Sequence, residues 1–391
     1  MNKRFITNLI FIVASISVSS QTLDISKLNT MHSIKISSKY FKEPIEYHIT
    51  LPESYSTKKE KKYFILFDLH PRSHHFLSGL HDWLSHNGEW PWFETIVITP
   101  AKYNPEFAKL FEQLESNPQN QTILDFFEFD LLNTIDKKYR TNGFRIYSGF
   151  MSNGAFGLYS LINRPKLFNA YIISSPTLAN DFGAVISDSK AKLNKLDNKL
   201  RFLYLSTGNH QYEQGNLSSF NKLEKILKNS STKNLDWQIH RNNKNNYMSQ
   251  PIVSTINGIE ALFNDIHTNL KADSDISKLG AQAIINYYNR ISKNKYGFNI
   301  SAEGSLIALA KSLMENNSTK GLMIYQKTAK LYPDSAYALS SLAKVYLDLN
   351  DFDKAVKYQT KAVEKSKSMS MWHQNKHKKL LNDYKIKLEN N

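Results

Sequence analysis

Arg145-Ile146-Tyr147-Ser148-Gly149-Phe150-Met151-Ser152-Asn153-Gly154-Ala155 is the stretch that decides the fold. An apolar β-rich run ends at a glycine, and a helical apolar pattern follows through Phe156, Leu158, Tyr159 and Ile162. Strand, tight turn and helix in this order form the context of a nucleophile elbow. The side chain at such a turn stands clear of the sheet at a helix N-terminus, where backbone N–H groups stabilise an oxyanion.

Working outward, short β-rich runs recur at Ser33–Ile36, Ile45–Leu51, Tyr63–Leu69, Ile96–Thr99, Ala170–Ser174 and Leu200–Ser206. Several are almost continuously apolar, as strands buried on both faces must be. Between them, Asp125–Tyr139 places Phe126, Phe129, Leu132, Ile135 and Tyr139 at helical spacing, which predicts one inward face. The alternation predicts a doubly wound α/β sheet over residues 22–265. Residues 229–246 are rich in Asn and Lys and read as a loop, and a helix resumes from Pro251 to Asn264.

Beyond His267 the β signal ends, and residues 275–390 read as an all-α domain. In Ser335–Lys365, Leu339, Leu342, Ala343 and Tyr346 share a face, Asn350-Asp351 turns the chain, and Ala355 and Ala362 follow. This pattern resembles a tetratricopeptide (TPR) repeat, whose small residues let two antiparallel helices approach closely. A weaker copy runs through Leu306, Leu309, Ala310, Leu313, Ala329 and Pro333. Two units fall short of the roughly three that usually stand alone, so flanking helices or docking on the first domain must complete their core. Such a tail implies a protein partner.

The 391 residues exceed one small domain, and a hydrophobic fraction of 41% provides a sizeable core. With no cysteine, disulfides and thiolate metal sites are excluded. Lys3 and Arg4, the mostly apolar Phe5–Val18 and the small Ser17, Ser19 and Ser20 read as a signal peptide over residues 1–20, cleaved near Ser20/Gln21. The apolar run is short for a span of about 20 residues, and no later segment is apolar enough to cross a bilayer. The expectation is export to the periplasm or the medium, with no membrane span after cleavage. The net charge of +15 reads as a lysine-rich solvated surface and not as a nucleic-acid site. No phosphate loop, dinucleotide fingerprint or calcium loop is present, and no cofactor is expected.

Several motifs in order carry a family resemblance. Ile135-Asp136-Lys137-Lys138-Tyr139-Arg140-Thr141 precedes the elbow strand. Arg164-Pro165-Lys166-Leu167-Phe168-Asn169-Ala170-Tyr171 and Ser174-Ser175-Pro176 follow it, then Leu203-Tyr204-Leu205-Ser206-Thr207-Gly208-Asn209 and Gly258-Ile259-Glu260-Ala261-Leu262-Phe263. Over roughly residues 33–264 the chain resembles the esterase D-like and enterobactin-esterase-like α/β hydrolases. The resemblance implies an α/β-hydrolase fold and a Ser-His-acid site, and some members of this family carry C-terminal TPR repeats.

The departures fall on the implied site. The family writes Gly-His-Ser-x-Gly-Gly at the elbow. Aligned without gaps, Gly149 and Gly154 match the outer glycines, Phe150 replaces the histidine and Met151 takes the nucleophile position. A thioether has no proton to lose and forms no acyl-enzyme. Shifted by one residue, Ser152-Asn153-Gly154 reads as Ser-x-Gly and makes Ser152 the nucleophile. Counting back from Gly258, the base position falls on Tyr247, a poor general base with an ordinary pKa near 10. His240, in the same polar stretch, is the substitute. After Gly208 the acid candidates are His210, Gln211 and Glu213, of which Glu213 is the carboxylate. In the oxyanion region Phe67-Asp68-Leu69 stands for Leu-Asp-Gly, and Leu69 replaces a glycine.

Two readings of the site follow, beside a third in which the chain is a scaffold and only the helical tail after about His267 matters. In one, the fold is kept, the triad is lost at Met151 and Tyr247, and the protein binds a carbohydrate or acyl-ester ligand as an accessory factor for an external substrate such as a polysaccharide or siderophore. In the other, Ser152 acts with His240 or His210 and Glu213 as a working carboxylic-ester hydrolase. Separately, His70, His74, His75, His81 and His86 cluster with Asp82, Trp83, Trp90 and Trp92. Metal binding, pocket lining and ordinary packing are the three readings of that cluster, and no metal site is assigned to it.

Overall fold

A computed structural model of the chain describes residues 31–87 and 92–390. The proposed signal segment, residues 1–20, and Trp90 lie outside the described residues. Eight described strands form one sheet in the order β1-β2-β4-β3-β5-β6-β7-β8. They are β1 Met31–Ile36, β2 Ile45–Thr50, β3 Tyr63–Asp68, β4 Thr95–Pro100, β5 Thr141–Phe150, β6 Ala170–Ser174, β7 Arg201–Thr207 and β8 Leu235–Arg241. β1 and β2 form an antiparallel edge, and β3 through β8 run parallel.

The pleat divides each buried strand between two cores. On β3, Tyr63, Ile65 and Phe67 face one cluster, and Phe64 and Leu66 face the other. Helices Pro105–Ser116, Ser152–Asn163, Val185–Leu193 and Gln214–Lys228 cover the first face. Ser73–His86 and Gln250–His267 cover the second. Both faces are therefore dry, which is why the central strands read as apolar runs and not as alternating ones.

The second core continues into the C-terminal helices. Ile284, Tyr288, Ile291, Tyr296, Leu306 and Leu309 pack in one cluster with Phe64, Phe144 and Phe263 of the sheet unit. The Tyr296 hydroxyl donates to the Leu262 carbonyl at 2.6 Å. The buried Lys295 ammonium meets Asp265 at 2.8 Å and Asp236 at 3.4 Å. Beyond this junction two helix pairs follow, Glu303–Asn316 with Ser318–Leu331 and Ala336–Asp348 with Phe352–Lys365. Ala310, Ala343, Ala355 and Ala362 are fully buried where the helices meet. A last helix, Met371–Glu389, covers the second pair with Tyr384.

Two expectations are corrected. The polar stretch 229–246 contains strand β8, paired parallel to β7 from Leu235 to Arg241. It is an edge strand with one partner, so only Leu235, Trp237 and Ile239 turn inward, too few to stand out among the amides. In 125–139 the helix passes through a π-helical segment, Phe126–Leu132. The wider turn rotates the register. Phe126, Phe127, Leu131, Leu132 and Ile135 are buried, while Phe129 is 57% exposed.

Candidate functional site

The elbow sits at the C-terminal edge of the sheet. β5 ends at Phe150, and the helix Ser152–Asn163 begins one residue after the turn. The residue between them, Met151, has φ 57° and ψ −125°. That backbone is costly for a side chain other than glycine, about 1–3 kcal/mol, and its surroundings hold it in place. Met151 N–H donates to the Ser174 carbonyl at 3.3 Å, and its own carbonyl accepts from Ala155 N–H at 2.9 Å and Thr177 N–H at 3.1 Å. Gly149 makes the tight approach possible: a Cβ there would lie 2.7 Å from the Asn153 carbonyl oxygen and 2.9 Å from the Gly154 nitrogen. The side chain raised at the tip is thus the Met151 thioether, 42% exposed. Ser152 is the first helical residue and borders the adjoining cavity.

Glu213 follows β7 and is buried. Its carboxylate accepts from Ser175 Oγ at 2.5 Å, Gly208 N at 2.6 Å, His210 N at 3.0 Å and Thr207 Oγ1 at 3.3 Å. Its partners are thus two hydroxyls and two backbone amides, and it pins the loop after β7. His210 caps the same short turn, accepting from Tyr212 N–H at 3.4 Å.

Tyr247 opens a short 3₁₀ turn before the Gln250–His267 helix. Its ring lies 5.0 Å from Phe150, 5.7 Å from His210 and 5.4 Å from Tyr212. Burial first, and the Glu213 charge second, push its pKa above the ordinary phenol value. It is a neutral phenol at physiological pH and takes no proton from a nucleophile.

The structure brings Met151, Tyr247, His210 and Glu213 to one edge and leaves His240 elsewhere. His240 lies on β8, stacked on Tyr204 with ring centroids 4.7 Å apart and planes 18° apart. Tyr204 belongs to the second core, on the face opposite the elbow helix. Burial lowers the His240 pKa. Among the described residues no hydrogen bond links Ser152 to a histidine.

A cavity of about 590 Å³ opens beside Ser152 and Asn153. Phe107, Phe111 and Phe182 supply an apolar wall, and Arg72, Lys102, Glu112 and Glu115 supply charges of both signs. The loop after β3 forms the side nearest the implied oxyanion region. There His70 N–H donates to Asp68 Oδ1 at 2.7 Å, so that amide is already engaged. Asp68 is buried, and its pKa is raised to about 6 by desolvation, against bonds from His70, Ser148 and Ser73.

The histidine-rich stretch resolves into separate roles. His70 lines the cavity. His74 bridges Thr50 at 2.7 Å and Thr99 at 3.1 Å, and burial with nearby His48 and His75 lowers its pKa to about 4. His81 is buried edge-on against Trp92, and desolvation lowers its pKa to about 4. No group of three or more His, Asp or Glu able to hold a metal ion occurs among the described residues. No helix of the described residues is long and apolar enough to cross a membrane.

The aromatic group of His210, Tyr212 and Tyr247 is not legible in the sequence. Its members come from two loops more than thirty positions apart, and no local spacing announces it.

No family model matches the chain, and no curated protein matches it. Solved structures do. An IroE-like serine hydrolase from Shewanella oneidensis is 21% identical, with a TM-score of 0.55 over 78% of this chain and 100% of that one. An uncharacterised protein from Capnocytophaga ochracea is 16% identical, with a TM-score of 0.63 over 91% of this chain and 100% of that one. At this identity the likeness speaks for architecture. The chain has the α/β-hydrolase fold, extended by a C-terminal all-helical region.

Proposed function

We propose that this chain is an exported, esterase-like protein that binds its ligand without hydrolysing it and presents its helical tail to a protein partner. The observation that carries the reading is the Met151 thioether at the strained tip of the elbow. Acyl transfer needs a group there that attacks a carbonyl and gives up a proton, and a thioether does not supply one. Three further features point the same way. Tyr247, beside Glu213 in the base position, is held neutral. Glu213 is occupied by hydroxyl and backbone donors. The His70 amide in the oxyanion region is committed to Asp68.

Ligand binding needs only the cavity. Its volume of about 590 Å³ falls within the range of small-molecule sites, roughly 300–1,000 Å³. Apolar walls with a few charges suit an acyl or sugar group of an external substrate, such as a polysaccharide or siderophore. The tail supports the partner role through its period. The second helix pair begins 33 or 34 residues after the first (303 to 336, 318 to 352). A TPR repeat has about 34 residues. Export to the periplasm or medium rests on the basic and apolar pattern of residues 1–20.

The competing reading is a hydrolase that uses Ser152, which does border the cavity. Incubation with short-chain p-nitrophenyl esters separates the two. The proposal expects turnover at the buffer background. Turnover above background that disappears in Ser152→Ala rejects it.

A further inference from the structure

The elbow has two flanks, and the cavity occupies one of them. On the other flank Phe150 meets Tyr247, and His210 and Tyr212 stack beside it. The His210 and Tyr247 planes are 20° apart, and those of His210 and Tyr212 are 27° apart with centroids at 5.2 Å. The stack is open to solvent. Tyr212 is 70% exposed, and Met248, next to Tyr247, is 72% exposed. Clustered exposed apolar surface of this kind marks a contact site more often than a single exposed ring does.

Neutral amides flank the rings in the chain. Asn209 and Gln211 bracket His210, and Asn246 precedes Tyr247, all three exposed. Among the described residues no internal hydrogen bond occupies their side-chain amides. An amide donates and accepts, as a hydroxyl does. The carboxylate of these loops, Glu213, is buried and fully engaged. Flat ring faces set among neutral amides complement a pyranose, whose C–H face is apolar and whose edge carries hydroxyls. A carboxylate or catecholate would draw on Lys244, the exposed cation three residues before Tyr247, and would leave the ring faces unused, and an alkyl chain would call for a closed apolar trough.

We infer that the His210–Tyr212–Tyr247 shelf is a carbohydrate subsite. It holds a sugar ring beside Met151 while the neighbouring group of the same chain enters the cavity at Ser152. The inference rests on the reading of the elbow as a binding site and names its substrate class. It also gives a physical role to Tyr247, whose phenol is of little use as a base and whose ring face is of use in stacking.

The test is calorimetric titration of the full chain with cellohexaose, xylohexaose and hexagalacturonate. At least one is expected to bind, with Tyr212→Ala weakening it by about tenfold or more and Tyr212→Trp retaining it. Tyr212 is exposed, so Tyr212→Ala should leave the melting temperature unchanged, and Gln211→Ala provides a second variant that spares the rings. Absence of binding by all three at millimolar concentration overturns the inference. So does binding that Tyr212→Ala and Gln211→Ala leave untouched. Binding of hexagalacturonate alone that vanishes at high salt also overturns it, because attraction to a chain of net charge +15 then explains the result. Acetylated xylohexaose separates the two claims. Deacetylation would defeat the non-hydrolytic reading and leave the subsite standing, whereas any of the three results above defeats the subsite whether or not the ester is cleaved.

Discussion

Gly149→Ala tests whether the elbow is as tightly built as its geometry implies. The added Cβ would lie 2.7 Å from the Asn153 carbonyl oxygen, 2.8 Å from its carbon and 2.9 Å from the Gly154 nitrogen. All three are backbone atoms in the first turn of the elbow helix, so no side chain can swing away. Ordinary contact would require the helix to withdraw by about 0.5–0.7 Å from a sheet face that is packed at crystal-like density. Overpacking of this kind costs about 1–3 kcal/mol. For a unit of this size, 2 kcal/mol lowers the melting temperature by roughly 4–8 °C. Gly79→Ala is the matched control. It lies inside the Ser73–His86 helix, and its added Cβ meets nothing within 4 Å. There the change should stabilise by about 0.5–1 kcal/mol through helix propensity alone. Differential scanning fluorimetry of the two variants gives the comparison. If Gly149→Ala melts at or above the parent temperature, the close approach at the turn is not real, and the placement of Met151 falls with it.

Three further outcomes are expected. Lys295→Met leaves Asp265 partly buried without its cation and should destabilise by about 2–4 kcal/mol, seen in urea unfolding as one joint shift of the sheet unit and the tail. Truncation after His267 removes Tyr288 and Tyr296 from their cluster with Phe144 and Phe263, so the shortened chain should aggregate or lose melting cooperativity. A soluble, cooperatively melting fragment would show that the shared core is dispensable. His81 has its pKa lowered in the fold to about 4 from an ordinary value near 6.5, so its protonation favours the unfolded chain. Its contribution is complete above about pH 6.5 and is lost as pH falls towards 4, about 2 kcal/mol by pH 5. Asp68, raised to about 6, acts with the opposite sign over the same range and blunts the trend. His81→Phe should therefore narrow the difference in melting temperature between pH 7 and pH 5, and an unchanged difference counts against a buried neutral imidazole.

The α/β class was legible because two dry faces leave a plain record: apolar runs on β3, β6 and β7, and amphipathic helices between them. The helical tail was equally legible from Leu339, Leu342, Ala343 and Ala355, whose small and large residues alternate as packing requires. What failed did so for local reasons. β8 is hidden in the sequence because an edge strand buries a single row, and Phe129 leaves the inward face because a π-helical segment breaks the 3.6-residue count. The acid candidate Glu213 stood out by its order after β7, but its neighbours did not. His240 sits close to Tyr247 in sequence and on the other face of the sheet in space, a separation set by strand pairing that spacing alone does not encode. The shared core between sheet and tail was foreseen only as a need, since two helix pairs lack enough buried surface alone.

On the proposed function, the residue presented at the elbow is chemically inert. Incubation of the intact chain with an alkyl fluorophosphonate, followed by whole-protein mass spectrometry and peptide mapping, tests it most directly. The expected result is an unmodified mass, with Met151 and Ser152 both free. A single phosphonyl adduct mapped to Ser152 would contradict it and establish an activated serine in its place.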